Sequence, residues 1–138
     1  MITSDKEKIP KVCFDLADDL AKRNLEIRRV SYEDITNTCI IDFIDKRTKS
    51  IIESEGKEGI IPYGWYISSI EYFIDSGEFS LHLNKVPRRE FEEVNIPVDD
   101  KNIRVHLDFK EPPRIGVDIA FLKDKDTALS FIDYFFGY

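Results

Sequence analysis

The sequence predicts an α+β fold, with a single, mainly antiparallel β-sheet of about six to eight strands and an N-terminal and a C-terminal helix. Three observations predict it. Apolar and polar residues alternate along several short stretches, as in strands that bury one face. The polar turns between these stretches are too short for a crossover helix, which favours antiparallel pairing. Apolar residues recur at helical spacing near both ends of the chain.

The length and composition predict one domain. A chain of 138 residues fits a single domain spanning residues 1–138. Apolar residues make up 42%, and the ten Phe and six Tyr favour a strand-rich core. No apolar run approaches the roughly 18 residues that a membrane span needs.

The first helix is predicted from apolar residues that recur on one face around Pro10. Pro10 suits the first turn of a helix, where its missing N–H costs nothing. Asn24 is the predicted C-cap. The predicted buried face comprises Ile9, Val12, Cys13, Leu16, Ala17 and Leu20.

Residues 25–54 are predicted to form three strands. The strand at 25–32 is interrupted by Arg28-Arg29, and a second strand covers 39–44. A polar turn at 45–48 leads to a partner strand at 50–54, for which a helical turn around Ile51 is the alternative. Residues 56–64 are predicted to be an irregular segment that packs against the domain.

A long strand is predicted to begin at Trp65. The parity of its apolar residues changes at 68–69, which indicates a β-bulge or, alternatively, a strand buried on both faces. Trp65 and Tyr72 are expected in the core, and Tyr63 and Tyr66 on the surface. A hairpin turn at 75–78 precedes another alternating strand at 79–84.

The last third of the chain is predicted to contain an edge strand near 94–98, a hairpin and a helix. Pro97 suits an edge. The hairpin, joined through Pro112-Pro113, places on one apolar face Ile103, Val105, Leu107, Phe109, Ile115, Val117, Ile119 and Phe121. The helix begins at Asp124 or Asp126. It covers that face with Ala128, Leu129, Ile132, Phe135 and Phe136.

The charge and the cysteine content indicate the kind of binding partner and the cellular compartment. The net charge of −7 opposes nucleic-acid binding, which relies on Lys and Arg, and suits a basic partner. Cys13 and Cys39 lack a CxxC spacing, and Cys13 is expected to be a buried free thiol. With no leader sequence visible, the prediction is a reduced, cytoplasmic protein.

The sequence has no motif for a catalytic residue, a cofactor or a metal ion. The glycines lack the spacing of a phosphate-binding loop, and no GxSxG elbow occurs. His82 and His106 have the polar parity of their strands, and Asp108 shares a face with His106. If these strands were neighbours, an acid–base or metal pair would result; the sequence favours two separate, solvent-facing histidines.

The predicted binding site is the acidic stretch at 90–100. Carboxylates on an edge strand and its turns would present a negative patch that attracts a basic partner. An edge guarded by charge against aggregation is the alternative. The predicted partner-binding residues are Glu90, Glu92, Glu93, Asp99 and Asp100.

A small acidic α+β domain without catalytic motifs resembles the immunity proteins of bacterial toxin–immunity systems of the contact-dependent inhibition type. The resemblance implies a protein that neutralises a basic toxin, such as a nuclease domain, by direct binding. The chain is expected to be a monomer or homodimer that binds no nucleic acid, membrane or cofactor. The alternatives are an enzyme with a dispersed site around His82, His106 and Asp108, a phage-type inhibitor, a secretion chaperone or a self-associating module.

Overall fold

The computed structural model describes residues 1–54, 63–87, 103–108 and 113–137. These residues form three α-helices, α1 (Lys11–Ala21), α2 (Lys46–Ser54) and α3 (Lys125–Phe136), and two 3-10 turns, Lys6–Lys8 and Tyr63–Tyr66. The strands are β1 (Ile2–Thr3), β2 (Leu25–Glu33), β3 (Thr38–Asp45), β4 (Ser68–Phe73), β5 (Glu78–Lys85), β6 (Ile103–Asp108) and β7 (Arg114–Leu122).

All seven strands join one sheet in the order β1-β2-β3-β4-β5-β7-β6, and every neighbouring pair is antiparallel. Helices lie near both ends of the chain. The predicted α+β class with a mainly antiparallel sheet is therefore confirmed. The predicted irregular segment at 56–64 lies largely outside the described residues, as does the predicted edge strand at 94–98.

The main core lies between one face of the sheet and helices α1 and α3. We call this the helix-covered face, and the opposite side the outer face. Strand alternation sends every second residue into this core. From the sheet these include Ile41, Phe43, Ile70, Phe79, Leu81, Leu83, Ile115, Val117 and Ile119. The helices contribute Leu16, Ala17, Leu20, Ala128, Leu129, Phe131, Ile132, Phe135 and Phe136.

Both terminal helices form where the sequence predicts them, but the C-cap of α1 is Lys22 rather than the predicted Asn24, because the Lys22 N–H still bonds to the Asp18 carbonyl of the helix. Helix α1 starts immediately after Pro10, and Val12 is the one member of its predicted face that is exposed. The Asp124 carboxylate accepts a hydrogen bond from the Thr127 N–H, so it caps α3 as predicted. At the other end of α3, the buried Lys85 ammonium donates to the Phe135 carbonyl at 2.6 Å. A cation at a helix C-terminus is favourable.

Cys13 and Cys39 form a disulfide, so the prediction of a free thiol at Cys13 is wrong. Their Cα atoms lie 5.3 Å apart, within the usual range for such a bond. The pair joins α1 to β3 across a sequence separation of 26 residues. Closing a loop of that length stabilises the folded chain by roughly 3 kcal/mol, chiefly by restricting the unfolded state. The sequence did not reveal the pair because the contact arises only when α1 packs on the sheet.

Residues 46–54 form helix α2, so the predicted turn and partner strand there are wrong. The reason is Asp45, whose carboxylate accepts hydrogen bonds from the N–H and the hydroxyl of Thr48, at 3.3 and 2.9 Å. An aspartate in that position satisfies the free amides of a first helical turn. Helix α2 then packs Ile52 on Ile44, over one end of the outer face.

Trp65 does not begin a strand. It belongs to a 3-10 turn, and β4 starts only at Ser68, which explains the change of apolar parity without a β-bulge. The expected environments of two aromatic residues are also reversed. Tyr66 is fully buried and donates its hydroxyl to the Pro113 carbonyl, whereas Trp65 is exposed beneath the Arg114 guanidinium.

Two parts of the predicted apolar hairpin face are not buried. Val105 and Leu107 point to the helix-covered face but are 43% and 49% exposed, because β6 is the last strand of the sheet that the described residues form. Near the end of β7 the register with β5 shifts by one residue. Phe121 adopts a positive φ of 59° there and is 55% exposed, while Leu122 takes the next buried position.

Candidate functional site

The outer face carries a row of polar side chains that crosses six strands. Its members are cross-strand neighbours, so they lie side by side at one level of the sheet. In order from β2 to β6 they are Arg29, Asp42, Ser69, His82, Asp118 and Arg104. Parity on each strand dictates this row, because the apolar alternate residues face the helices.

A histidine cluster occupies the centre of this row. His82 Nδ1 lies 3.0 Å from Asp118 Oδ1, and His106 Nε2 lies 2.7 Å from Asp118 Oδ2. Glu71 Oε1 lies 3.4 Å from the other ring nitrogen of His82. We call Glu71, His82, Asp118 and His106 the histidine cluster; it joins β4, β5, β7 and β6.

Gly116 makes the contact between His106 and Asp118 possible. Gly116 is the cross-strand partner of His106, so His106 reaches Asp118 diagonally across a position with no side chain. A Cβ at Gly116 would lie 2.8 Å from Asn84 Oδ1 and 3.5 Å from the His106 Cβ. Asn84 in turn donates to the Ile67 carbonyl at 2.8 Å. The glycine therefore provides the space in which Asn84 and His106 lie.

Electrostatics keep His82 charged. The Glu71 carboxylate and the hydrogen bond to Asp118 outweigh partial burial and raise the pKa of His82 from 6.5 to about 9. Burial would raise the pKa of Asp118, but the hydrogen bonds and charges of His106 and His82 outweigh it and hold that pKa below its usual value. Near neutral pH, His82 is therefore an imidazolium ion between two carboxylates.

This arrangement limits the acid–base chemistry that is available. Ser69, His82 and Asp118 lie in the order of a catalytic triad, but no hydrogen bond joins Ser69 to His82 among the described residues. A protonated His82 also has no lone pair with which to activate a hydroxyl. His106 is different. Its Nε2 faces a carboxylate, which can only accept, so that nitrogen carries a proton and Nδ1 is the basic position when the ring is neutral.

A cavity of about 320 Å³ lies elsewhere, on the helix-covered face beside α1. The stacked rings of Tyr72 and Phe79, with centroids 4.5 Å apart, line it. Asp15 and Lys125 are also among its lining residues. The histidine cluster is not part of this cavity and lies on the open outer face.

The structure joins the two histidines that the sequence singled out, but through a residue that was not predicted. Asp118, rather than Asp108, connects them; Asp108 is the cross-strand partner of Arg114. The polar parity of Asp118 in β7 was visible in the sequence, but its neighbours were not. The predicted partner-binding residues Glu90, Glu92, Glu93, Asp99 and Asp100 lie outside the described residues, so that prediction stands untested.

In the described ranges, no three His, Cys, Asp or Glu side chains are grouped so that they could hold a metal ion. Both ring nitrogens of His82 face carboxylates instead of a shared point. None of the described helices has the length and apolar character needed to cross a membrane. Comparisons of the chain with protein-family models, with curated proteins and with solved structures each gave no match.

Proposed function

We propose that this chain is a binding protein that inhibits a basic protein partner, in the manner of an immunity protein that neutralises a nuclease-like toxin. The observation that carries the proposal is the character of the outer face. Its central histidine, His82, has a carboxylate beside each ring nitrogen, Glu71 at 3.4 Å and Asp118 at 3.0 Å, on an open sheet surface away from the cavity. Such a face suits contact with another protein better than turnover of a substrate.

The charge of the chain indicates the kind of partner. A net charge of −7 attracts a basic protein over distances of about 10 Å and speeds association. The same charge opposes nucleic acid and anionic membrane surfaces, so we propose neither as a partner. A nuclease has a basic substrate-binding surface, and an acidic inhibitor bound there would exclude the phosphate backbone.

The decisive test pairs this chain with a basic protein sought among the products of the neighbouring genes. The two purified proteins should form a complex, and the nuclease activity of the partner should be lost at equimolar inhibitor. The affinity, measured by calorimetry, should fall as salt is raised. A neighbouring protein that remains unbound and fully active in the presence of this chain would reject the immunity function.

The predicted acidic stretch allows a more specific version of this test. Reversing the charge at Glu92, Glu93, Asp99 and Asp100 should weaken binding and reduce its salt dependence. Asp18, an exposed carboxylate on α1, supplies the control, since Asp18→Lys changes charge at a residue far from that stretch in the sequence. Equal losses in both variants would mean that charge acts only at long range and that the contact lies elsewhere.

We propose a cytoplasmic location, where an immunity protein would meet its toxin. The Cys13–Cys39 disulfide favours an oxidising compartment, but both residues are fully buried and thus shielded from reductants once folded. Alkylation of the chain in intact host cells, followed by mass spectrometry, tests this. Complete oxidation together with recovery in a secreted fraction would contradict the proposal.

A second candidate function is catalysis by His106. The 2.7 Å contact with Asp118 orients its ring and leaves Nδ1 as a potential general base. Asp118→Asn and His106→Gln would then abolish activity towards a substrate while His82→Gln would not. The immunity proposal predicts instead that a complex forms and inhibits normally with His106→Gln.

A further inference from the structure

At the end of β4 and β7, the outer face carries an aromatic pair, an exposed Phe121 and a half-buried Phe73, with carboxylates beside it. The rings of Phe73 and Phe121 lie 6.2 Å apart, near the end of β4 and of β7. Glu78 is the cross-strand neighbour of Phe73, and Glu71 lies on the same face of β4. We call Phe73, Phe121, Glu71 and Glu78 the aromatic–acidic patch.

Phe121 is exposed and has a strained backbone conformation. By strand parity it would follow Ile119 into the core, but the register shift turns it outward and places Leu122 there. The residue has a φ of 59°, a region that bulky side chains adopt only under strain. The Ser80 hydroxyl accepts a hydrogen bond from the Phe121 N–H at 3.3 Å, which holds the bulge. Strain of this kind, together with an exposed aromatic ring, is typical of binding sites.

Trp65, an exposed aromatic residue in the 3-10 turn, shows how a ring of this chain binds a cation. Arg114 lies over the ring of Trp65, with its guanidinium carbon 4.0 Å from the ring centroid. In the part of the chain that the structure describes, no Lys or Arg lies over Phe73 or Phe121. Trp65 thus has its cation within the chain, whereas in the aromatic–acidic patch Phe121 is 55% exposed and Phe73 is half-buried.

The charges beside the rings favour a cation. Glu71 Oε1 is 3.4 Å from His82 Nε2, so the imidazolium partly neutralises the charge of this carboxylate. Glu78 is half-buried and forms no ion pair with another described residue. An aromatic face next to such a carboxylate binds the planar guanidinium of arginine by stacking and by a charge-assisted hydrogen bond.

We propose that the aromatic–acidic patch is the docking site for an arginine side chain of the basic protein partner. The stem of the arginine packs on Phe121 and Phe73 while its guanidinium pairs with Glu78. This inference rests on the proposed function and adds a second contact surface to the predicted acidic stretch at 90–100. It predicts that the strained conformation of Phe121 serves binding and contributes nothing to stability.

Phe121→Gly tests that statement directly. Glycine adopts the positive φ without strain, so the variant should keep or raise the melting temperature while it removes the ring. Its affinity for a cationic ligand should fall about 2- to 30-fold, the range expected for loss of a cation–π contact. A marked drop in melting temperature would show that the ring is needed for the fold and would overturn the inference. Tyr134→Ala, at an exposed aromatic residue on α3, is the matched control.

The ligand in this test is a synthetic arginine-rich peptide, with a second peptide in which citrulline replaces every arginine. Binding is followed by the amide chemical shifts of the isotope-labelled protein at low salt. The arginine peptide should shift the amides of β4, β5 and β7 around Phe121 and Glu78, and the citrulline peptide should not. Glu78→Gln should weaken binding, whereas Asp18→Asn, on the opposite side of the sheet, should leave it unchanged.

The outcomes separate this inference from the proposed function. Binding that maps to another surface and is unaffected by Phe121→Gly overturns the docking site but leaves an acidic binding protein. Equal binding of the citrulline peptide overturns the role of charge at the patch. Failure of the neighbouring basic protein to bind, with the arginine peptide still mapping to the patch, rejects the immunity function alone.

Discussion

Strands β6 and β7 have the same alternating pattern, yet one is exposed and the other buried. Val105 and Leu107 of β6 pair directly with Val117 and Ile115 of β7, and all four point to the helix-covered face. Val117 and Ile115 are almost completely buried, because α3 packs on β5 and β7. Among the described strands, β6 is the outermost on that side of the sheet. Alternation therefore predicts which face a residue points to, but not whether another element covers that face.

The largest loss of stability is expected for a substitution in β7, the strand that α3 covers. Ile119→Ala should lower the free energy of unfolding by about 2–5 kcal/mol, because it leaves a cavity beneath α3 in a fully packed region. Urea denaturation monitored by circular dichroism measures it. A loss below about 1 kcal/mol would mean that α3 does not pack on β7 as described.

Gly116→Ala should have the next largest effect. The added Cβ, 2.8 Å from Asn84 Oδ1, forces the Asn84 side chain to move and breaks its hydrogen bond to Ile67. We expect a loss of about 1–2 kcal/mol. The control is the same substitution in an Asn84→Ala background, where most of the loss should disappear. An unchanged loss in that background would identify His106, and not Asn84, as the displaced neighbour.

His82→Gln should have a smaller effect, and one that depends on pH. The pKa of His82 is raised to about 9 in the fold, so its charged ring stabilises the protein fully below its unfolded pKa of 6.5. That contribution disappears as pH rises through about 9. Because the ring is half-exposed, we expect a difference of about 1 kcal/mol at most near pH 6, falling towards zero near pH 10. A difference that is constant with pH would contradict the ion-pair assignment.

Val105→Ala should have the smallest effect, about 0.5 kcal/mol or less, because the side chain is already 43% exposed. Ile119→Ala in the buried strand β7, measured in the same denaturation series, is the positive control. If both substitutions were equally destabilising, β6 would be covered in solution. A dimer that buries β6 would be one cause, and light scattering would detect it.

Local pattern was sufficient for most of the strands, both terminal helices and the antiparallel class. These features depend on residues close in sequence, such as Asp124 before α3 or the alternation in β5 and β7. Two of the errors arose where one capping side chain or one extra residue in a strand changed the local structure. Asp45 capped a helix where a turn and strand were predicted, and a bulge turned Phe121 outward. Neither event has a periodic signature.

The candidate site shows the same division. The parity of His82, His106 and Asp118 was readable from the chain, because adjacent residues of a strand must point to opposite faces. The contact between these side chains could not be predicted, since it depends on β7 lying between β5 and β6 and on the space that Gly116 leaves. The Cys13–Cys39 bond has the same origin, in a helix packed on a distant strand. Periodicity acts between neighbours in sequence, whereas strand order, burial and side-chain contacts are set by the free energy of the whole packed sheet.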